Sequence, residues 1–125
     1  MTGIVVGPEG GERIRHVGGR DHRVLLEIPA VEMFELSFTP DFEGVDPHTH
    51  EAHADCFYVL EGEAEFTVDG ELVRAGPGTF VAAPPGAVHG FRVVGEGQLR
   101  LLNVQVPNSG FGDRLRRHES GGAGV

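Results

Sequence analysis

Residues 48–62, which read HTHEAHADCFYVLEG, decide how the rest of the chain is interpreted. Three histidines, His48, His50 and His53, fall within six residues, and the carboxylate of Asp55 follows them. His48 and His50 are two positions apart, so in a strand both imidazoles would point to the same face. Two neutral imidazoles and a carboxylate form a set that binds a divalent metal ion. The stretch therefore predicts a metal site.

The residues around this stretch predict strands. Residues 55–60 predict a strand with two partly buried faces, and apolar and polar residues alternate at 34–38 and 64–68. Asp69-Gly70 is the strongest hairpin signal in the chain. Gly and Pro, at 20 and 8 of 125 residues, exceed their usual combined share of about 12% and separate the apolar runs. Evenly spaced strands with little helical periodicity predict an all-β antiparallel sandwich or barrel over residues 24–107.

The two ends of the chain carry a weaker pattern. Residues 1–23 are polar and Gly-rich, and they predict a flexible N-terminal arm with at most one short strand, in which His16 and His22 are exposed loop histidines. Residues 108–125 predict a short helix, because Phe111 and Leu115 are four positions apart, followed by a disordered tail. No boundary divides the chain, which predicts one domain.

Composition and charge exclude several classes of partner. The chain has 10 Arg, no Lys and 19 Asp or Glu, a net charge of −9, which disfavours binding to nucleic acid or to an anionic membrane surface. There is no apolar run of about 18 residues to form a membrane-spanning helix, and the first residues lack the parts of a secretory signal. The single cysteine, Cys56, cannot form an internal disulfide. These features predict a reduced, cytoplasmic protein.

His89 is a further candidate ligand. It lies about 40 residues beyond the first cluster, directly after the rigid corner formed by residues 84–86, which read PPG. In an antiparallel barrel the strand predicted at residues 88–93 can be a neighbour of the strands around His48 and Asp55. Three imidazoles and one carboxylate would leave coordination positions open for water or substrate, which suits a reactive site better than a structural one.

These residues resemble the two sequence motifs of the cupins, in particular the small single-domain bacterial members. The first motif is matched by Gly44, His48, His50, Asp55 and Gly62, with one residue fewer between the first glycine and the histidines. The second is matched by Gly78, Pro84, Gly86 and His89, whereas Val93 stands where the motif has asparagine. The 15 residues between Gly62 and Gly78 are similar to the short spacing of microbial members, and the resemblance covers about residues 24–107.

The resemblance implies a double-stranded β-helix, or jelly-roll, with metal ligands at His48, His50 and His89. The fourth ligand position, usually glutamate, is Asp55, whose side chain is one methylene shorter. Asp55 could bind the metal directly or through water, or act as a base beside it. His53 matches no ligand position and is expected at the barrel mouth, where it would contact the substrate or shuttle a proton. Asp55 and His53 are therefore the catalytic candidates.

The resemblance also implies a class of function without fixing the reaction. The first hypothesis is a metal-dependent dioxygenase of the flavonol- or quercetin-cleaving kind, which acts on a small organic molecule with one divalent Fe, Mn, Ni, Co or Zn ion. The second is a non-redox isomerase, cyclase or lyase that uses the metal as a Lewis acid. The third is a module that binds a small ligand or metal without turnover. Tyr58, on the strand face opposite Asp55, predicts a homodimer interface, because cupins commonly pair through a sheet.

Overall fold

The computed structural model describes residues 2–117, which form ten β-strands and one short α-helix. The elements are β1 (Arg13–His16), β2 (Arg20–Ile28), β3 (Val31–Phe38), β4 (Val45–His48), β5 (Ala54–Glu61), β6 (Glu63–Val68), β7 (Glu71–Ala75), β8 (Phe80–Ala83), β9 (His89–Val94), β10 (Leu99–Val106) and α1 (Phe111–Arg116). A six-stranded sheet has the order β1-β2-β3-β10-β5-β8, and a four-stranded sheet has the order β4-β9-β6-β7. All pairs are antiparallel. The prediction of an all-β jelly-roll with a short C-terminal helix is confirmed.

The two sheets pack on each other through an aromatic core. Every second residue of β3 is buried, as the alternating sequence predicts. Phe57 of β5 contacts Phe66 of β6 with 5.3 Å between ring centroids, and Phe38 of β3 contacts Phe91 of β9 at 5.4 Å. All four rings are buried, and burial of each ring stabilises the fold by roughly 1.5–3 kcal/mol.

The hairpin predicted at Asp69-Gly70 joins β6 to β7. Both residues have positive φ angles, 48° at Asp69 and 85° at Gly70. A two-residue type I′ turn requires positive φ angles at both central residues. Hairpins favour this turn because its backbone twist matches the twist of the flanking strands. The turn is therefore explained by the residue types that occupy it.

The six-stranded sheet begins earlier in the chain than predicted. Residues 13–16 and 20–23, which were expected in a flexible arm, form β1 and the start of β2. Ile14 pairs with His22, and both side chains are buried, whereas their charged neighbours form ion pairs on the outer face. Those charged residues hide the alternating pattern in the sequence. The expectation that His22 is an exposed loop histidine is wrong, since it is only 1% exposed.

The helix α1 packs against β3 and also contacts β1 and β2. Phe111 and Leu115 are both buried, which confirms the pairing expected from their spacing, and Phe111 packs edge-on against Phe34 at 5.0 Å. Arg116 forms ion pairs with Glu12 and Glu27, so the helix is also held from its exposed side. The predicted disordered tail lies outside the described residues from position 118 onward. Among residues 2–117, no helix has the length and apolar character needed to cross a membrane.

Candidate metal centre

Four predicted site residues come together at one end of the core. His48, His50, Asp55 and His89 each offer one ligand atom, and these four atoms lie within 4.8 Å of one another. The Nε2 atoms of His48 and His50 are 3.1 Å apart, and the Nε2 atom of His89 is 3.1 Å from the Asp55 Oδ2 atom. The sequence places these residues up to 41 positions apart, and the strand pairing brings them into one cluster.

The pairing of β4 with β9 places His48 directly opposite His89. The register shifts between Val45 and His48, so the intervening residues of β4 bulge against β9. Gly90 faces this bulge, and a Cβ atom there would lie 2.5 Å from the Val45 carbonyl oxygen. Only glycine permits this close approach of the two backbones. Gly90 therefore allows the two histidine rings to lie with their centroids 4.5 Å apart.

His50 reaches the cluster from a loop and not from a strand. The sequence suggested that His48 and His50 share one strand face, but β4 ends at His48. The backbone N–H of Gly86 donates to the His50 carbonyl oxygen at 2.8 Å, which ties the loop to the PPG corner. The corner therefore holds His50 and leads into His89 three residues later.

The ring orientations leave the Nε2 atoms of His48 and His89 directed into the cluster. The Nδ1 atom of His48 is 2.8 Å from the Asp46 carbonyl oxygen, and the Nδ1 atom of His89 is 3.0 Å from the Ala87 carbonyl oxygen. A carbonyl oxygen can only accept, so each Nδ1 atom donates its hydrogen away from the cluster and each Nε2 atom is the ring nitrogen that faces the cluster. Histidines that bind metals are held in this manner. Three imidazole nitrogens and one carboxylate oxygen are a donor set that fits a divalent transition metal.

Asp55 is fully buried on β5, and its shorter side chain still reaches the cluster. Its Oδ2 atom is 3.1 Å from the His89 Nε2 atom and 3.6 Å from the His50 Nε2 atom. Burial by itself would raise the pKa of Asp55, but hydrogen bonds with His50, His89 and Asn103 outweigh burial, and the pKa is lower than usual. Asp55 is therefore an ionised carboxylate that lies close enough to share a bound metal ion with the three histidines.

His53 does not join the cluster. Its ring lies against the ring of His50 with 4.2 Å between centroids and 30° between planes. It was expected at an open barrel mouth, but it is only 8% exposed, and its Nε2 atom has no hydrogen-bond partner within residues 2–117. Burial, followed by the nearby His50, lowers the pKa of His53. His53 thus packs against the ring of His50 from outside the cluster and helps to hold that ring in position.

Two buried polar residues of β10 were missed from the sequence. The Nδ2 atom of Asn103 donates to the Asp55 Oδ1 atom at 2.7 Å and to the Cys56 carbonyl oxygen at 3.0 Å. Gln105 in turn donates to the Asn103 Oδ1 atom at 3.1 Å. Both residues are 0% exposed and lie in phase with the buried Leu101. Polar residues in the apolar phase of a strand were the signal that could have identified them, because a buried polar group needs a partner.

A cleft of about 670 Å³ lies beside His48. Its wall includes Arg20, Phe42, Asp46 and Pro47. The guanidinium carbon of Arg20 lies 5.2 Å from the centroid of the Phe42 ring. This volume is in the range of sites that hold small organic molecules.

Comparisons with known proteins agree with the motifs. The family model of the cupin domain matches residues 34–105. Quercetin 2,3-dioxygenase of Bacillus subtilis (strain 168) is 32% identical over 68 residues, which make up 54% of this chain and 20% of that protein. The chain therefore spans about a fifth of the length of this relative.

Solved structures share the fold. The structure of KdgF from Halomonas sp. superimposes with a TM-score of 0.77 and 24% identity, covering 85% of this chain and 94% of that one. Pac13 of Streptomyces, described as a nucleoside dehydratase, has a TM-score of 0.64 and 20% identity, covering 85% of this chain and 83% of that one. The family match spans more than half of the chain and includes all four residues of the cluster. The chain belongs to the cupin family.

Proposed function

We propose that this chain is a metal-dependent enzyme, a dioxygenase of the quercetin-cleaving kind that acts on a small organic molecule. The observation that carries the proposal is the cluster of His48, His50, Asp55 and His89, whose four ligand atoms lie within 4.8 Å of one another. The similarity to quercetin 2,3-dioxygenase supports this choice among cupin activities. We assign one divalent ion of Fe, Mn, Ni, Co or Zn to these four residues.

The bound ion would supply Lewis acidity and, if redox-active, electrons for reaction with oxygen. The chain supplies the surroundings. The ring of Phe57 is fully buried, and its centroid lies 6.4 Å from that of His89. This apolar neighbour would help to exclude water from that side of the site, which would strengthen electrostatic interactions there. Asp55 would orient the ion and could accept a proton from the substrate, and His53 would contact the substrate or transfer a proton.

Metal content and oxygen consumption test this proposal. The purified protein should contain about one equivalent of a transition metal and should consume oxygen with an enol- or catechol-like substrate. Alanine substitutions at His48, His50 and His89 should each lose most of the metal, because each removes a nitrogen ligand. His16→Ala is the matched control, since His16 lies outside the cluster and contacts the Leu115 carbonyl oxygen instead. Full metal occupancy in all three ligand variants would refute the site.

A non-redox reaction is the second candidate, in which the metal acts as a Lewis acid in an isomerase or cyclase. The buried imidazole of His53 beside the cluster favours this alternative, because such reactions need a group that moves protons. The fold of Pac13 shows that a related barrel accommodates a dehydratase. Turnover under strict anaerobiosis would select this alternative over the dioxygenase. Metal binding without turnover of any substrate would select the third possibility, a binding module.

We also propose a homodimer that forms through the outer face of the six-stranded sheet. Tyr58 on β5 lies between Phe80 on β8 and Leu102 on β10 in the register of the sheet. Tyr58 is 41% and Phe80 61% exposed, and the neighbouring Cys56, Ala82 and Val104 extend this apolar face. An exposed apolar patch of this kind is typical of association surfaces. The single cysteine fits a reducing compartment, and we place the protein in the cytoplasm.

A further inference from the structure

A continuous line of buried hydrogen bonds leads away from the candidate metal centre. It starts at Asp55, passes through Asn103 and Gln105 on β10, and reaches Ser109 in the turn before α1. The Ser109 Oγ atom also lies 2.6 Å from the Oε1 atom of Glu32. Asp55, Asn103, Gln105 and Glu32 are all 0% exposed. The line therefore connects the metal-site carboxylate to a second buried carboxylate through three polar side chains.

The direction of these hydrogen bonds is fixed by a backbone carbonyl. The Cys56 oxygen can only accept, so the Asn103 amide must present its nitrogen to Cys56 and Asp55. The Asn103 oxygen consequently faces Gln105, which must donate with its own nitrogen. The Gln105 oxygen then faces the Ser109 hydroxyl, whose single hydrogen is shared between this oxygen and the Glu32 Oε1 atom. Neither amide can be reversed without placing two oxygen atoms against each other.

The far end of the line is the attachment point of α1. Glu32 accepts the backbone N–H of Ser109 at 2.7 Å and those of Phe111 and Gly112 at 3.2 and 3.3 Å. These contacts fix the start of the helix against β3. A displacement of Ser109 would therefore remove the partner of the Gln105 oxygen and disturb the hydrogen bond from Gln105 to Asn103.

We propose that Asn103, Gln105 and Ser109 are positioning residues that couple the docking of α1 to the orientation of the Asp55 carboxylate. This inference rests on the proposed metal site, since the quantity that it controls is metal affinity. Asn103 holds the Oδ1 atom of Asp55, which leaves Oδ2 directed at His50 and His89. Loss of the line would let the carboxylate rotate and weaken its bond to the metal. Outer partners of metal ligands typically change metal affinity by about 10- to 100-fold when removed.

Ser109→Ala tests the coupling at a distance, because Ser109 is three hydrogen bonds away from Asp55. This variant removes the hydroxyl and keeps the backbone contact with Glu32. Co(II) titration of the metal-free protein, followed by its visible absorption, should show affinity about tenfold weaker than in the original chain. Ser109→Thr keeps a hydroxyl and should restore the original affinity. Gln105→Met should weaken affinity similarly, and adding Ser109→Ala to it should change nothing further, since the line is already broken.

Asn108→Ala is the matched control. Asn108 holds the same turn through the Ile28 carbonyl oxygen and the Gly110 N–H, but it is not part of the line. It should lower the melting temperature to a degree similar to Ser109→Ala but weaken Co(II) affinity less, because the Ser109 hydroxyl stays in the line. Equal affinity loss in Asn108→Ala and Ser109→Ala, or no loss in Ser109→Ala, would overturn the coupling. Absence of Co(II) binding by the original chain would instead overturn the proposed function, and the coupling with it.

Discussion

His22 should make the fold sensitive to mild acid. Its ring is 1% exposed, packs edge-on against Phe38 at 5.1 Å, and accepts the Ser37 N–H at Nδ1. Burial, together with the nearby His16 and Arg20, lowers the pKa of His22 from 6.5 to about 3, against the smaller opposing effect of Asp21. The ring is therefore neutral in the folded chain at every pH in which the protein is commonly handled.

The loss of folding free energy in acid follows from the difference in the pKa of His22 between the folded and unfolded states. Below about pH 6.5 the unfolded chain binds a proton at His22 that the folded chain does not bind, so stability falls as the pH falls. Between about pH 7.5 and about pH 5 this single group should remove about 2 kcal/mol from the free energy of unfolding. That loss would lower the urea midpoint by about 1 M for a small domain.

Urea unfolding of the metal-free protein at the two pH values measures this loss. His22→Asn is the appropriate variant, because the asparagine oxygen can replace Nδ1 as the acceptor for Ser37 and does not titrate. The difference in stability between the two pH values should be smaller in His22→Asn by about 2 kcal/mol. The other histidines contribute equally to both proteins and cancel. If both proteins lose the same stability on acidification, the argument for a neutral buried imidazole is refuted.

Three further changes test other parts of the structure. Gly90→Ala would place a Cβ atom 2.5 Å from the Val45 carbonyl oxygen and displace the strand that carries His48. Metal affinity should therefore weaken by at least about tenfold. Unchanged Co(II) affinity would contradict this account of the bulge. Phe111→Ala removes a ring that is 2% exposed and should cost about 3–5 kcal/mol in urea unfolding, whereas a loss below about 1 kcal/mol would show that the helix contributes little. Phe80→Glu should convert a dimer into a monomer in light scattering, and a monomeric original chain would exclude the proposed interface.

Much of the site could be predicted from local sequence. The spacing of His48, His50 and Asp55, with His89 after a rigid corner, was enough to name all four residues of the cluster. The reason is that metal binding needs particular residue types, imidazole and carboxylate, and these types recur here at a characteristic spacing. The position of His50 in a loop was not predicted, because a spacing of two is compatible with both conformations.

The parts that could not be predicted depend on partners far away in the sequence. His22 looked like a surface residue because its neighbours are charged, and only the pairing of β1 with β2 shows that its own face is buried. Asn103 and Gln105 lie in the apolar phase of β10, which could have marked them as buried, but the carboxylate that Asn103 holds belongs to Asp55, 48 positions away. No local pattern contains that information. The position of His53 behind His50 likewise depends on how the loop closes.

The cluster draws its residues from both sheets, and this has a consequence for how the protein survives in the cell. His48 and His89 belong to the four-stranded sheet, whereas Asp55 belongs to the six-stranded sheet. An ion bound by all three residues would link the two sheets, so the sheets could not separate without releasing it. At a free metal concentration 1,000 times the dissociation constant, binding would add about 4 kcal/mol to the free energy of unfolding. The lifetime of the chain against proteases would then follow the metal supply of the cell.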